Sequence, residues 1–276
     1  MSVRKETIGD CELYLGDCRD VLPTLADASV EMIFTDPPYG HNNNNGDLIH
    51  RREAALNRGK PATARPIVND GAEANGLVEF LFCEASRLLV RYGVCCCCCG
   101  GGGGPDPQFA RWSLMMDAHL AFNQMVVWDK GPIGMGWRYR RSYETVLVGH
   151  RKNGTLSWYD ETNRIENIIR QGAYGINKII PSDREHPTPK PAALCAHFIR
   201  LHTQSGELVL DPFMGAAPVA EACIKLGRRF VGIELDRHWF DMACHRIEAI
   251  YRQGDMFRAP ARQQPVQERL MFGPAA

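Results

Sequence analysis

The chain has 276 residues, 45% of them hydrophobic and 23% charged, which suits one sizeable globular core. Its 32 basic and 32 acidic side chains cancel, and the pI near 7.1 leaves no global basic field of the kind that marks many nucleic-acid binders. No run of 18 apolar residues occurs and Met1-Ser2-Val3-Arg4-Lys5 has no signal-peptide core, so neither a membrane partner nor secretion is expected.

In chain order, the first strand candidates are Cys11 to Leu15 and Glu31 to Thr35. The second runs into Asp36-Pro37-Pro38-Tyr39, followed by a stretch from His41 to Asn75 that is poor in apolar residues and rich in Asn and Arg. A loop of this length directly after a chemically loaded turn reads as a mobile lid facing a ligand. A helix over Val78 to Val90 leads to a strand from Val94 to Cys99 that contains five consecutive cysteines. Neighbouring strand residues point to opposite faces and no C-x2-C pair or nearby histidine completes a zinc site, so these cysteines read as small apolar core residues. The Gly100 to Gly104 run follows. Next come a helix over Asp106 to Leu120, with a core stripe of Phe109, Trp112, Met116 and Leu120, and strands at Gln124 to Trp128 and Glu144 to Val148. The polar segment Lys152 to Asp183 precedes a helix from Pro191 to His202. A strand at Leu208 to Leu210, a glycine turn, a helix from Ala217 to Leu226, a strand from Arg229 to Ile233 and a helix from Arg237 to Tyr251 complete the pattern.

Such alternation predicts an α/β fold: a doubly wound, mostly parallel, seven-stranded sheet with helices on both faces. Residues 1–252 read as one domain carrying two inserted segments, 41–75 and 152–185, and residues 253–276, rich in Pro, Gln and Arg, as a loose tail.

Two turns carry chemistry. In Asp36-Pro37-Pro38-Tyr39 each proline fixes its own φ and restrains the residue before it. The Asp36 carboxylate and a neighbouring carbonyl can thus be aimed as two acceptors for an exocyclic amine, with Tyr39 as a stacking face for a flat base. The plain alternative is a turn that ends a strand. The second turn, Asp211-Pro212-Phe213-Met214-Gly215, opens a strand, turn, helix, strand and acid layout ending at Glu234, as in nucleoside-binding units where the acid takes ribose hydroxyls. Doubly wound sheets bind ligands beyond the carboxyl ends of their strands, so two turns about 175 residues apart can share one crevice.

These pieces resemble, in kind and order, the amino-directed DNA methyltransferases of the β type, which place the catalytic tetrapeptide before the cofactor motif. Further matching pieces are Gly16-Asp17-Cys18, Trp128-Asp129-Lys130, Tyr143-Glu144, Glu185-His186-Pro187-Thr188-Pro189-Lys190-Pro191 and Gly232-Ile233-Glu234. The resemblance implies S-adenosylmethionine as cofactor, with no metal, and double-stranded DNA as partner. It also implies Asp36 and the Pro37 carbonyl as acceptors beside Pro38, with Tyr39 under the flipped base. Asp17, His186, Thr188, Lys190, Asp211, Phe213, Gly215 and Glu234 would surround the cofactor, with Thr188 and Lys190 meeting its carboxylate. Arg51, Arg52, Arg138, Arg140, Arg141, Arg164 and Arg170 are the candidate DNA contacts, since arginines converging on one face make a local phosphate strip despite the neutral total.

Adenine N6 is the expected target, because cytosine-N4 members more often carry serine at the aspartate position. N4-cytosine methylation, methylation of RNA or protein glutamine, and a catalytically inactive DNA-binding module are the competing readings. Family members are commonly dimeric, and a homodimer is carried as an expectation. The setting implied is the cytoplasm of a bacterium or a phage-infected cell, at the nucleoid. One departure stands out: Ala216-Ala217-Pro218-Val219 replaces the usual Ser-Gly-Thr-Thr, removing hydroxyls and placing a Cβ where glycine normally lies, which predicts weaker cofactor binding.

Overall fold

The computed structural model describes residues 3–40, 71, 73–100, 108–131, 142–176 and 190–257, with no account of the side chains of 254–257. Arg51, Arg52, Arg138, Arg140, Arg141, His186, Thr188, most of the 41–75 segment and the glycine run beyond Gly100 lie outside the described residues.

Among the described residues nine strands form one sheet: β1 (Arg4–Ile8), β2 (Cys11–Leu15), β3 (Val30–Thr35), β4 (Leu89–Gly100), β5 (Ala121–Asp129), β6 (Tyr143–His150), β7 (Ile168–Ile169), β8 (Leu208–Asp211) and β9 (Arg229–Glu234). The helices are α1 (Cys18–Val21), α2 (Ala74–Leu88), α3 (Gln108–His119), α4 (Ala192–His202), α5 (Pro218–Leu226) and α6 (Arg237–Phe257). Across the sheet the order is β1-β2-β9-β8-β3-β4-β6-β5-β7. Pairing is parallel from β2 through β9, β8 and β3 to β4 and again between β5 and β7, whereas β6 runs antiparallel between β4 and β5, and β1 antiparallel to β2.

All seven expected strands are present. The two added ones are edge strands: β1, a hairpin partner whose exposed Lys5 and Thr7 alternate with half-buried Glu6 and Ile8, and a two-residue β7 too short for any periodic signal. β4 starts at Leu89, earlier than apolarity suggests, because α2 ends at Leu88 and passes directly into the strand. Helix α6 continues to Phe257, five residues beyond the boundary that composition suggests.

The cysteine run shows how the core is layered. Cys96 and Cys98 face one hydrophobic cluster with Phe34, Phe198 and Cys195, while Cys95, Cys97 and Cys99 face another with Leu81, Phe82 and Trp112. From Gly93 onward β4 is covered on both faces, so its side chains there are all apolar or small where an exposed strand would alternate with polar residues, as the exposed Arg91 and Tyr92 show at its start. Burial pushes the Cys95 thiol up to about 12, which removes it from nucleophilic chemistry near neutrality. Phe34 meets Phe198 of α4 with ring centroids 5.5 Å apart, fastening α4 over the end of β3. The stripe expected on α3 is in the core: Trp112, Met116 and Leu120 are fully buried and Phe109 is partly so.

Between β8 and β3 the chain departs in opposite directions, from β3 through α2 to β4 and from β8 through α5 to β9. This reversal opens a crevice at the carboxyl ends of the two strands.

Candidate active site

Asp36 and Asp211 mark the carboxyl ends of the adjacent strands β3 and β8. Thr35 Oγ1 donates to Asp211 Oδ1 at 2.7 Å, and the backbone N–H of Phe213 donates to the same oxygen at 3.1 Å, so one buried carboxylate ties the two turns together. Burial pushes the Asp211 carboxyl up to about 7 against the opposing pull of these two donors. Glu234, at the end of β9, accepts the N–H of Gly215 on Oε2 at 2.9 Å and the N–H of Asp236 on Oε1 at 2.8 Å. Burial raises this carboxyl as well, and each of its oxygens keeps a lone pair for a further donor.

Asp17 lies at the same sheet edge, since the N–H of Gly16 donates to the Glu234 carbonyl at 2.9 Å. Its carboxylate caps α1 through the Arg19 N–H at 2.9 Å and pairs with the Arg19 guanidinium, Nη2 to Oδ2 at 2.6 Å. Helix α5 begins with Pro218 at its first position, where no N–H is needed. Ala217 precedes it at φ 58 and ψ 45, the backbone conformation in which glycine is at ease. Its Cβ is wholly buried in the cluster that includes Cys195, Val219 and Ala220. The replacement of glycine is therefore accommodated by core packing at the cost of local backbone strain.

The Asp36 corner is assembled differently. Tyr39 Oη donates to Asp36 Oδ1 at 2.6 Å, Lys190 Nζ donates to Asp36 Oδ2 at 2.5 Å, and the same ammonium donates to Tyr39 Oη at 3.0 Å. Gln108, at the start of α3, donates from Nε2 to the Tyr39 carbonyl at 2.6 Å, and the Trp112 ring lies 6.2 Å from the Tyr39 ring. Tyr39 is expected as a stacking face; in the structure its hydroxyl is part of the carboxylate's setting.

Lys190, placed by the sequence reading at the cofactor carboxylate, reaches the Asp36 carboxylate in this structure, and Glu144 Oε2 stands 3.3 Å from the ammonium. The Glu144 contact is an ion pair whose geometry is not aligned as a hydrogen bond. Lys130 Nζ donates to the other oxygen, Oε1. Burial works against the Lys190 ammonium, but Asp36 and Glu144 outweigh it and hold its pKa above the ordinary lysine range. Burial likewise opposes the Glu144 carboxylate, yet Lys190 and Lys130 outweigh it and hold the group near about 2.

Glu144, Lys130 and Gln108 carry no site role that the sequence predicts, and Trp112 is expected only as a core residue. Lys130 and Glu144 were visible only as members of matching motifs, and the β5–β6 register that sets Trp128 opposite Glu144 explains their meeting. Because β6 is antiparallel, its first residues lie at the same edge as the carboxyl ends of β3, β4 and β5.

Of the two arginines in the second inserted segment, Arg170 is exposed and paired with Glu166, and Arg164 lies in an exposed turn whose N–H is held by Thr162 Oγ1 at 3.3 Å. β7 pairs Ile168 and Ile169 with Val127 and Trp128, which brings this segment beside the carboxyl end of β5. Among the described residues no group of His, Cys, Asp or Glu could hold a metal, and no helix is long and apolar enough to cross a membrane.

The family model for DNA methylases of the N6/N4 type matches residues 30–244. The chain belongs to that family. Its members act on N6 of adenine or N4 of cytosine in DNA, and this chain is a DNA methyltransferase of that kind. Among curated relatives it is 24% identical over 249 residues to the type II methyltransferase M2.MboI of Moraxella bovis, covering 86% of this chain and 88% of that one. Its fold is similar to that of TTHA0409 of Thermus thermophilus, crystallised with S-adenosyl-L-methionine, with a TM-score of 0.60, 22% identity and 86% and 95% of the two chains covered. It is similar again to the PvuII DNA methyltransferase, a cytosine-N4-specific enzyme, with a TM-score of 0.63, 16% identity and 90% and 93% covered. These likenesses establish the α/β methyltransferase fold.

Proposed function

We propose that the chain transfers a methyl group from S-adenosylmethionine to the exocyclic N6 of an adenine flipped out of duplex DNA. The observation that carries this reading is the Thr35–Asp211 hydrogen bond of 2.7 Å, which sets the Asp36 corner and the Asp211–Gly215 turn side by side at one switch point.

The donor set on the Asp211 side suits a nucleoside-bearing cofactor. Glu234 is an immobilised acid with spare lone pairs for a ribose diol, Asp17 stands at the neighbouring strand end, and the Asp211–Gly215 turn frames the space between. Bound there, S-adenosylmethionine supplies a sulfonium methyl, which the amino nitrogen accepts with loss of one proton. Asp36 and the Pro37 carbonyl accept hydrogen bonds from the amino group. They favour a pyramidal nitrogen whose lone pair is drawn out of conjugation with the ring. The departing proton passes to Asp36 or to water. Tyr39 stacks on the base, and flipping costs a few kcal/mol of unstacking. An aspartate rather than a serine at position 36 favours adenine over cytosine.

In DNA from cells expressing the protein, digestion and mass detection should reveal N6-methyladenine, and N4-methylcytosine in its place would overturn the base assignment. Asp36→Ala should lower methyl transfer by about 100- to 1,000-fold, the scale of a lost transition-state hydrogen-bond partner, with cofactor affinity within threefold of the parent chain. Retained turnover in that variant would refute the assigned role of Asp36.

A further inference from the structure

Four charged side chains run in alternating sign through the active site. Asp36 follows β3, Lys190 precedes α4, Glu144 opens β6 and Lys130 follows β5, so four separate parts of the chain meet in one file. The inner pair is well enclosed: the Lys190 side chain is 7% exposed and that of Glu144 19%. Enclosure matters because charges in a partly desolvated site act on one another far more strongly than in water.

The consequence concerns the acceptor. A lone ammonium 2.5 Å from Asp36 Oδ2 would draw on the same lone pairs that the target amino group needs, and would oppose the positive charge that the amino nitrogen acquires as its bond to carbon forms. Glu144 is the second carboxylate at that ammonium, 3.3 Å from it, and Lys130 in turn balances Glu144. The file thus holds two anions and two cations, and the Lys190 charge is divided between two carboxylates.

We infer that Glu144 is a positioning residue for methyl transfer: it shares the charge of Lys190, so that Asp36 remains a strong acceptor for the target amine. The acidity of the Glu144 carboxyl, held near about 2 against its burial by Lys190 and Lys130, agrees with a group that stays ionised for this purpose. The inference rests on the methyl-transfer reading proposed above and adds a residue to it.

The test uses the full chain, a duplex DNA substrate and S-adenosylmethionine labelled in its methyl group. Glu144→Gln keeps the shape and an oxygen for the two lysines but removes the charge. Its kcat should fall 10- to 100-fold, with KM for the cofactor within threefold of the parent and a melting temperature close to it. Glu144→Asp keeps the charge on a shorter arm and should recover at least fivefold in kcat over Glu144→Gln, which a role in shape alone would not produce, since glutamine is the closer match in shape. A kcat for folded Glu144→Gln within threefold of the parent, or a folded Glu144→Asp no faster than Glu144→Gln, overturns the inference. If Glu144→Gln does not fold, Lys130→Met alone decides the matter. With one cation fewer, Lys190 is drawn further toward Glu144 and kcat should rise two- to fivefold, whereas a fall would overturn the charge-sharing role. A parent chain that transfers no methyl group to DNA refutes the underlying reading instead, and the two failures are thereby told apart.

Discussion

The two halves of the crevice are built on opposite plans. On the Asp211 side, carboxylates are held mostly by backbone N–H groups of residues 213–236, Phe213 to Asp211 and Gly215 and Asp236 to Glu234, with the Thr35 hydroxyl as the distant side-chain donor. On the Asp36 side, the carboxylate is held by side chains, one of them 154 residues away, and the network closes only through Lys190 and Glu144. A site made of backbone donors is rigid as soon as the local turn forms, whereas one made of long side chains depends on every contributing element being in place. The first plan suits a constant ligand, the second a group that must rearrange when a base arrives.

The sharpest way to break this contrast is Lys190→Met. It leaves Asp36 and Glu144 facing each other without their shared cation, and loss of one member of a largely buried ion pair should cost about 3 kcal/mol, the low end of the range because Asp36 is 27% exposed. The pH dependence gives a second readout. The Glu144 carboxyl is held near about 2 against an ordinary 4.5, so its contribution is complete above about pH 4.5 and is lost as pH falls toward 2. The gap in urea-unfolding free energy between parent and variant should therefore narrow in acid, and a gap independent of pH would show that the ion pairs are not its source.

A smaller effect is expected on the backbone-built side. Asp211 rises to about 7 from an ordinary 3.8, so the folded chain binds the extra proton between those values and its stability falls as pH climbs through them. Asp211→Asn cannot titrate but keeps an oxygen for the Thr35 and Phe213 donors. Its stability relative to the parent should improve by about 2.6 kcal/mol between pH 5 and pH 8, since each tenfold change in a protonation equilibrium is worth about 1.4 kcal/mol. Equal slopes in the two proteins would contradict the raised value.

Ala217→Gly should do least. Relief of left-handed strain is worth about 1–2 kcal/mol, the lost methyl burial costs about 0.8 kcal/mol, and the added freedom of the unfolded glycine costs about 0.5–1 kcal/mol. The net change should lie within about 1 kcal/mol by thermal unfolding, and a loss well beyond that would mean that the buried methyl matters more than the strain.

The contrast also separates what could be read from the residues from what could not. The strand, turn, helix, strand and acid unit from Leu208 to Glu234 was legible because all its signals are local: an apolar run, a glycine turn, a helix period and a terminal acid. The five cysteines of β4 were likewise legible as core, since a strand covered on both faces accepts any small apolar residue. The two edge strands were not, because β7 is two residues long and exists only through its pairing with β5. The contact of Lys190 with Asp36 was not legible, as the 154 residues between them carry no sequence signal of it.

By itself, then, the order of residues determined the alternation of strands and helices, the two turns and the family, because each depends on interactions within a few residues or on motifs read in line. Only the tertiary structure decided that Tyr39, Lys190, Glu144 and Lys130 converge on Asp36. That convergence follows from a strand order in which β6 lies antiparallel between β4 and β5, bringing its first residues to the edge where β3 ends. Strand order is set by long-range burial of two apolar layers, and no local periodicity records it.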